Sequence, residues 1–311
     1  VNLRHALVRR SYRCYRSCAR YLLERPATPL TYAFFRALRV ANRLTSARRL
    51  TPAQVEANRI WKALYFARHG SVPPYLLKAE SRVALASDDH HWPRGTILNS
   101  SVNRRFNLKL YDYFGRKPDL RVLDIGCAGG GFVKSVLEDG YEALGIEGSD
   151  VSQRLRSGEW DTIPYHLFTA DAATPFAFSD RFGKAVVFDC ITAWEVLEHI
   201  PEGRLPTLLA NIAENLASDG VFVGSIAFFP DGDPLTGAVY HVTLHGAEWW
   251  LEQFRAAGLE PVTPHPFETG DYVRGHGRGL QDWDPADGDG VHVVMRKRDR
   301  SSEAPRGEAG R

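Results

Sequence analysis

Residues 122–132 read VLDIGCAGGGF, an apolar run that breaks into a cluster of very small residues. Glycine is a poor former of both helix and strand, so its density here needs a backbone reason. A strand that stops in a glycine-rich turn and resumes as a helix over 131–138 is the opening unit of a parallel sheet wound with helices. In such sheets ligands sit beyond the carboxyl ends of the strands, where a turn without bulky side chains lets them touch the main chain.

The rest of the chain after residue 120 repeats that alternation. RVLDI, EALGIE, YHLFTA, KAVVFDCIT, GVFVGSIAF and GVHVVMRK are rich in β-branched and aromatic residues, and helical stretches at 131–138, 203–217 and 247–257 separate several of them. The pattern predicts an α/β fold, doubly wound and Rossmann-like, with a mostly parallel sheet and helices on both faces. Upstream, TPAQ (51–54) is a capping box with proline at the first helical position, so a helix is expected from about 52 to 68. Residues 85–102 read as an ordered loop leading into a helix over 103–115, and the tail from 298 has the composition of a disordered segment. The expected division is a basic helical extension (1–50), a helical cap with a cofactor-covering loop (51–102), a catalytic domain (103–297) and the tail (298–311).

Charge separates the first of these segments from the others. Residues 1–50 hold twelve arginines and one acid, a net of +11, whereas the remainder holds 27 basic and 36 acidic residues, a net of −9. Arg9, Arg13, Arg16 and Arg20 share one side of a helix, opposite Leu3, Leu7, Cys14, Cys18 and Tyr21. A second helix sets Phe34, Leu38 and Ala41 against Arg36, Arg39 and Arg43. Such a segment either caps the fold with a solvated face or docks on an anionic membrane surface, with nucleic acid as the weaker third reading. Four cysteines in 311 residues make no disulfide framework, and no apolar run is long enough to span a bilayer. Both features point to a cytoplasmic protein, peripheral to a membrane if residues 1–50 dock there.

Asp124, Gly126, Ala128 and Gly130 alternate as D-x-G-x-A-x-G, a pattern that alone leaves two cofactor classes open, dinucleotides and S-adenosylmethionine. Glu147 ends the second strand 23 residues after Asp124, where a carboxylate can accept both ribose hydroxyls in either class. Asp171 ends the third strand, 24 residues further on, and has no place in the dinucleotide pattern. An acid there is placed to accept from an adenine amino group.

Taken together and in order, VLDIGCAGGGF, GIEGSD, TADAATPF and FDCITAWEVLEHI resemble class I S-adenosylmethionine-dependent methyltransferases over roughly residues 100–297. The resemblance implies a seven-stranded sheet with its last strand antiparallel. It also implies that Asp124, Gly126, Cys127, Ala128, Gly130, Glu147, Gly148, Asp171, Ala172, Ala193 and Trp194 hold the cofactor, with Asp124 near its ammonium group.

Methyl transfer needs the acceptor close and its proton removed. Glu195, Glu198 and His199 stand at i, i+3 and i+4, which places them on one side of a helical turn. YHVTLHGAEWW (240–250) brings His241 and His245 back toward the same edge. This E-x-x-E-H turn is similar to the metal site of small-RNA 3′-terminal 2′-O-methyltransferases and to the matching region of ubiquinone-pathway O-methyltransferases. By that resemblance Glu195, Glu198, His199 and one of His241 or His245 bind a divalent cation, with His245 favoured by its spacing to Glu248 and Trp249. Without metal, His199 or His241 is the expected general base, and Glu195 a further catalytic candidate. Arg94 is placed to contact the cofactor carboxylate or an anionic acceptor, and the cluster Asp88–His91 reads as a polar loop over the cofactor. The expected activity is O-methylation of a small molecule or glycan, lipid-linked acceptors included. RNA 3′-end methylation and a non-catalytic cofactor-binding adaptor are the alternatives.

Overall fold

The computed structural model of the chain describes residues 52–84, 100–233, 237–276 and 283–299. In chain order, α1 (Pro52–His69) and β1 (Tyr75–Ala79) precede α2 (Arg104–Tyr113). Then β2 (Arg121–Ile125) leads to α3 (Gly131–Glu138), and β3 (Glu142–Glu147) to α4 (Val151–Leu155) and β4 (Leu167–Thr169). The short β5 (Phe176–Asp180) and β6 (Ala185–Val186) come before β7 (Phe188–Trp194), which is followed by α5 (Leu205–Asn215) and β8 (Leu216–Ala227). A small pair, β9 (Gly232–Asp233) and β10 (Ala238–Val239), precedes α6 (Ala247–Ala256), β11 (Leu259–Pro261) and β12 (Gly290–Lys297).

The seven-stranded sheet runs β11-β12-β8-β7-β2-β3-β4. Strands β8, β7, β2, β3 and β4 are parallel, and β12 is antiparallel to both its neighbours, as expected. Every residue of β7 is buried, which is why its sequence is a continuous run rather than an alternating one. Successive side chains feed two cores. Leu123, Ile125, Ile191 and Phe222 pack with Leu208 and Ile212 of α5 and Trp250 and Phe254 of α6. Val122, Cys190, Val221 and Val223 pack on the other face with Phe106 and Leu110 of α2 and Phe132 and Val133 of α3.

A second sheet, β1-β5-β6, was not expected from the sequence. β1 pairs antiparallel with β5 from Tyr75↔Asp180 to Ala79↔Phe176, so the segment 51–102 contributes a strand as well as a helix. This pairing lays the residues after β1 across two loops of the main sheet. Glu80 N donates to Pro175 O, Asp171 N donates to Ser81 O, and Ala84 N donates to Gly148 O. The expected strand 184–192 is split between β6 and β7, and the expected helix 203–217 is shorter because β8 already begins at Leu216. Helix α1 is tied down by Tyr65, whose hydroxyl accepts from Tyr165 N and bonds His166 Nδ1 at 2.7 Å. Lys62 pairs with Asp161 at 2.7 Å on the same helix.

Cys127 and Cys190 are buried and unpaired with each other. No helix among the described residues is long and apolar enough to cross a membrane. The two basic helices with Cys14 and Cys18, the cluster Asp88–His91, Arg94 and the tail from 300 lie outside the described residues.

Candidate active site

The alternation at 124–130 is a backbone device. Gly126, Ala128 and Gly130 take φ values of 74°, 49° and 82°, so every second residue of the turn is left-handed. That conformation costs an ordinary L-residue about 1–2 kcal/mol. Ala128 is held in it at both ends: its N–H donates to Glu147 Oε2 at 2.9 Å and its carbonyl accepts from Trp160 Nε1 at 2.8 Å. A side chain at Gly126 would overlap Val196, one at Gly130 would overlap Leu167, and one at Gly131 would overlap the Ser100 carbonyl. Cys127 faces Gly145, where any Cβ would strike its thiol.

Three carboxylates stand at the ends of adjacent strands. Asp124 is buried and accepts from Thr192 Oγ1 at 2.7 Å. Burial pushes its pKa up to about 8, against the lowering effect of the Thr192 hydroxyl and with a small addition from Glu147. Glu147 accepts from Ala128 N and from Ser149 N, so the acid expected at the ribose also fixes the shape of the glycine turn. Asp171 is buried; Oδ1 accepts from Ala173 N at 3.0 Å and Oδ2 from Arg204 Nη2 at 2.8 Å. Gly148 and Ala172 offer their carbonyls to Ala84 N and Asn211 Nδ2 respectively. Ala193 is buried in one core, and Trp194 lies edge-on to Phe106 and Phe132 in the other.

The E-x-x-E-H turn departs from the expected helical arrangement. Glu195 is itself left-handed, at φ 54°, and only Leu197–His199 form a single 3₁₀ turn. Its carboxylate therefore leaves the side shared by the other two and takes Trp283 Nε1 and Arg274 Nη2, each at 2.6 Å. Glu198 is fully buried, with Oε1 accepting from Ala227 N at 2.9 Å and Oε2 without a hydrogen-bond partner among the described residues. Burial raises its pKa to about 7, and the neighbouring His199 opposes that rise.

The Glu198 main chain also recruits the second histidine. Its carbonyl accepts from Val242 N and Thr243 N, and Thr243 Oγ1 donates to Ile200 O, which staples 241–243 onto the turn. The His199 and His241 rings lie edge to face, 4.8 Å apart. His241 Nδ1 is 2.7 Å from the Phe229 carbonyl, which can only accept, so that nitrogen donates its proton there. Ligand atoms of Glu198, His199 and His241 all lie within 4.8 Å of one another. Glu195 and His245, both in the expected ligand set, stand outside this group, and His241 stands within it. Glu195 is taken by Arg274 and Trp283; His245 stacks on Trp249 at 3.8 Å and faces Glu202 at 3.4 Å.

Three residues near the site had no part in the sequence reading. Arg274 and Trp283 come from the long connection between β11 and β12, and Arg204 from the residue preceding α5. The Trp283 indole is seated between Gly275 and Gly290, either of which would overlap it if it carried a side chain. Five glycines surround Trp283 in the sequence, at 275, 277, 279, 288 and 290, so nothing in it singled out this seat or connected it with Glu195.

A strand order with one antiparallel strand next to the edge, a left-handed glycine turn and acids on three consecutive strand ends define an α/β nucleotide-cofactor fold of the methyltransferase kind. A family model described as "Methyltransferase domain" matches residues 100–268. Ubiquinone biosynthesis O-methyltransferase of Actinobacillus pleuropneumoniae serotype 7 (strain AP76) is 30% identical over 159 residues, 50% of this chain and 59% of that protein. The protein of the same name from Leptothrix cholodnii (strain ATCC 51168 / LMG 8142 / SP-6) is 25% identical over 154 residues, 47% of this chain and 58% of its own length. The chain thus spans somewhat under two thirds of the length of these curated relatives. Among solved structures, the glycopeptide N-methyltransferase MtfA complexed with S-adenosyl-L-methionine is 15% identical, with 62% of this chain and 87% of that chain covered and a TM-score of 0.41. The chain belongs to the methyltransferase-domain family.

Proposed function

We propose that the chain methylates a hydroxyl on a small-molecule or glycan acceptor, lipid-linked forms included, and that the acceptor proton leaves to the His199–His241 pair. The observation that carries this reading is the gathering of Glu198, His199 and His241 within 4.8 Å at the carboxyl edge of β7. S-adenosylmethionine, held by the glycine turn with Glu147 and Asp171, would supply the methyl group and leave as a neutral thioether, and His199 or His241 would take the proton of an acceptor hydroxyl held beside it. An imidazole suits this task because it titrates near neutral pH. The curated relatives bear the name O-methyltransferase, which supports oxygen as the acceptor atom.

The same three residues suit a divalent cation. A buried carboxylate oxygen without a partner and an imidazole whose other nitrogen is fixed by a main-chain carbonyl are what a metal ligand set needs. Glu198, His199 and His241 would hold the ion. A bound cation lowers the pKa of a hydroxyl it contacts.

The twelve arginines of residues 1–50 support peripheral attachment to an anionic membrane, and cosedimentation with anionic against neutral vesicles tests it. The central test is transfer of labelled methyl from S-adenosylmethionine to sugars, quinols, lipids and RNA. Labelling of a hydroxyl, lost in both His199→Ala and His241→Ala, is expected. Labelling confined to RNA, or to nitrogen, or unchanged in both variants would overturn the reading. For the cation, dialysed protein should gain melting temperature with Zn²⁺ or Mn²⁺, and Glu198→Gln should not.

A further inference from the structure

The loop that follows β4 is held from one side by a single face of α5. Asn211 Nδ2 donates to Ala172 O at 2.8 Å and to Thr174 O at 2.7 Å, and Asn215 Nδ2 donates to Phe176 O at 3.3 Å. Arg204, just before the helix, donates through Nη2 to Ala173 O at 3.2 Å and to Asp171 Oδ2 at 2.8 Å. Seven and four residues separate these three side chains, so they line one face. Two of them address carbonyls only, which is enough to tether a loop. Arg204 alone reaches a side-chain oxygen.

That difference decides what Arg204 does. A carboxylate has about four lone-pair directions. On Asp171, Ala173 N takes one on Oδ1 and Arg204 takes one on Oδ2, so the plane of the group is fixed and both oxygens keep a free lone pair. Asp171 is 4% exposed, and a polar group buried to that degree needs hydrogen-bond donors, which Ala173 N and Arg204 Nη2 supply. The backbone around it is closed on all sides: its N–H donates to Ser81 O, and its carbonyl accepts from Thr174 N and Thr174 Oγ1. The side chain therefore cannot turn to solvent without breaking the loop.

We propose that Arg204 is a positioning residue for adenine recognition, which holds the Asp171 carboxyl aimed so that it accepts from the amino group of the base. This rests on the reading of Asp171 as the adenine acid. Arg204 lies five residues after His199, so the turn that carries the reactive cluster and the loop that reads the base share one anchor.

The experiment compares the dissociation constants of S-adenosylhomocysteine and its 6-oxo counterpart, S-inosylhomocysteine, for the full chain and its variants. The 6-oxo base presents an acceptor where adenine presents a donor, so a fixed carboxylate repels it. The unmodified chain is expected to prefer the adenine ligand by about 10–100-fold. Asp171→Asn and Arg204→Ala should each bring the two ligands within about threefold, and Arg204→Lys, which keeps the charge but not the planar fork, should fall between. Asn211→Ala serves as the tether control and should weaken both ligands equally. If Arg204→Ala weakens both ligands in parallel with the ratio intact, Arg204 is only a tether and the proposal is wrong. If Arg204→Ala does not fold, Arg204→Lys and Arg204→Gln carry the same comparison. An unmodified chain that binds neither ligand overturns the cofactor reading itself, an outcome distinct from a preserved ratio.

Discussion

Cofactor binding should expel a proton from Asp124. With its pKa pushed up to about 8 by burial, this carboxyl is protonated in roughly ten of eleven unliganded molecules at pH 7. Ionising it at that pH costs about 1.4 kcal/mol. The ammonium group of the cofactor's methionine end, brought to about 4 Å in a site of intermediate dielectric, returns roughly 4 kcal/mol. The pairing wins, so the bound state holds a carboxylate and about 0.9 proton leaves per molecule bound. S-adenosylhomocysteine carries the same ammonium without the sulfonium and is the ligand of choice. Its calorimetric heat, measured at pH 7 in buffers of different ionisation enthalpy, should change with a slope corresponding to that release. Its affinity should rise nearly tenfold from pH 6 to pH 7 and level off above about pH 8. Asp124→Asn keeps the acceptor for Thr192 and removes the titration, so both dependences should vanish. Heats independent of buffer, together with flat affinity from pH 6 to 8, would refute the reasoning. The sign for the unliganded chain is opposite. Between the ordinary carboxylate range and pH 8 the folded chain holds a proton that the unfolded chain has released, so rising pH lowers its stability.

Two further substitutions test the walls of the site. Gly126→Ala combines a left-handed backbone with overlap at Val196, and a loss of about 2–4 kcal/mol should appear in chemical denaturation, together with weaker cofactor binding. Trp283→Phe keeps the ring in its seat but removes the donor to Glu195; a loss of about 1–3 kcal/mol is expected, and an unchanged denaturation midpoint would show that Arg274 alone satisfies the acid.

The parallel strands were legible because burial on both faces writes itself as largely apolar runs without alternation, as in FDCITAW, where only Asp189 and Thr192 are polar. β1 and β5 were not, since YLLKA and FAFSD are five residues each and pair with each other across the whole of β2, β3 and β4. FAFSD did carry a period of two, with Phe176 and Phe178 inward and Ala177 outward, but five residues are too few to separate it from a loop. The glycine turn and the acids Asp124, Glu147 and Asp171 could be located because each closes a recognisable strand. What they bind within the protein was hidden. The spacing of Glu195, Glu198 and His199 reads as a helical turn only if Glu195 is right-handed. Its left-handed backbone accompanies a bond to a tryptophan 88 residues away, which no local pattern announces. Spacing favoured His245 over His241 for a similar reason. The Glu198 carbonyl pins Val242 and Thr243 and so brings His241 beside His199, while His245 lies flat on Trp249.

The seat of Trp283 has a practical consequence for engineering. Because the indole is fixed between Gly275 and Gly290 and its N–H is spent on Glu195, the chain from β11 to β12 is anchored from within, at points that do not depend on what joins them. Substitutions in the described part of this connection therefore divide into those that touch the seat and those that do not. Libraries that spare Arg274, Gly275, Trp283 and Gly290 should retain folded members at high frequency, whereas cuts that remove the tryptophan would leave a left-handed glutamate with one partner fewer.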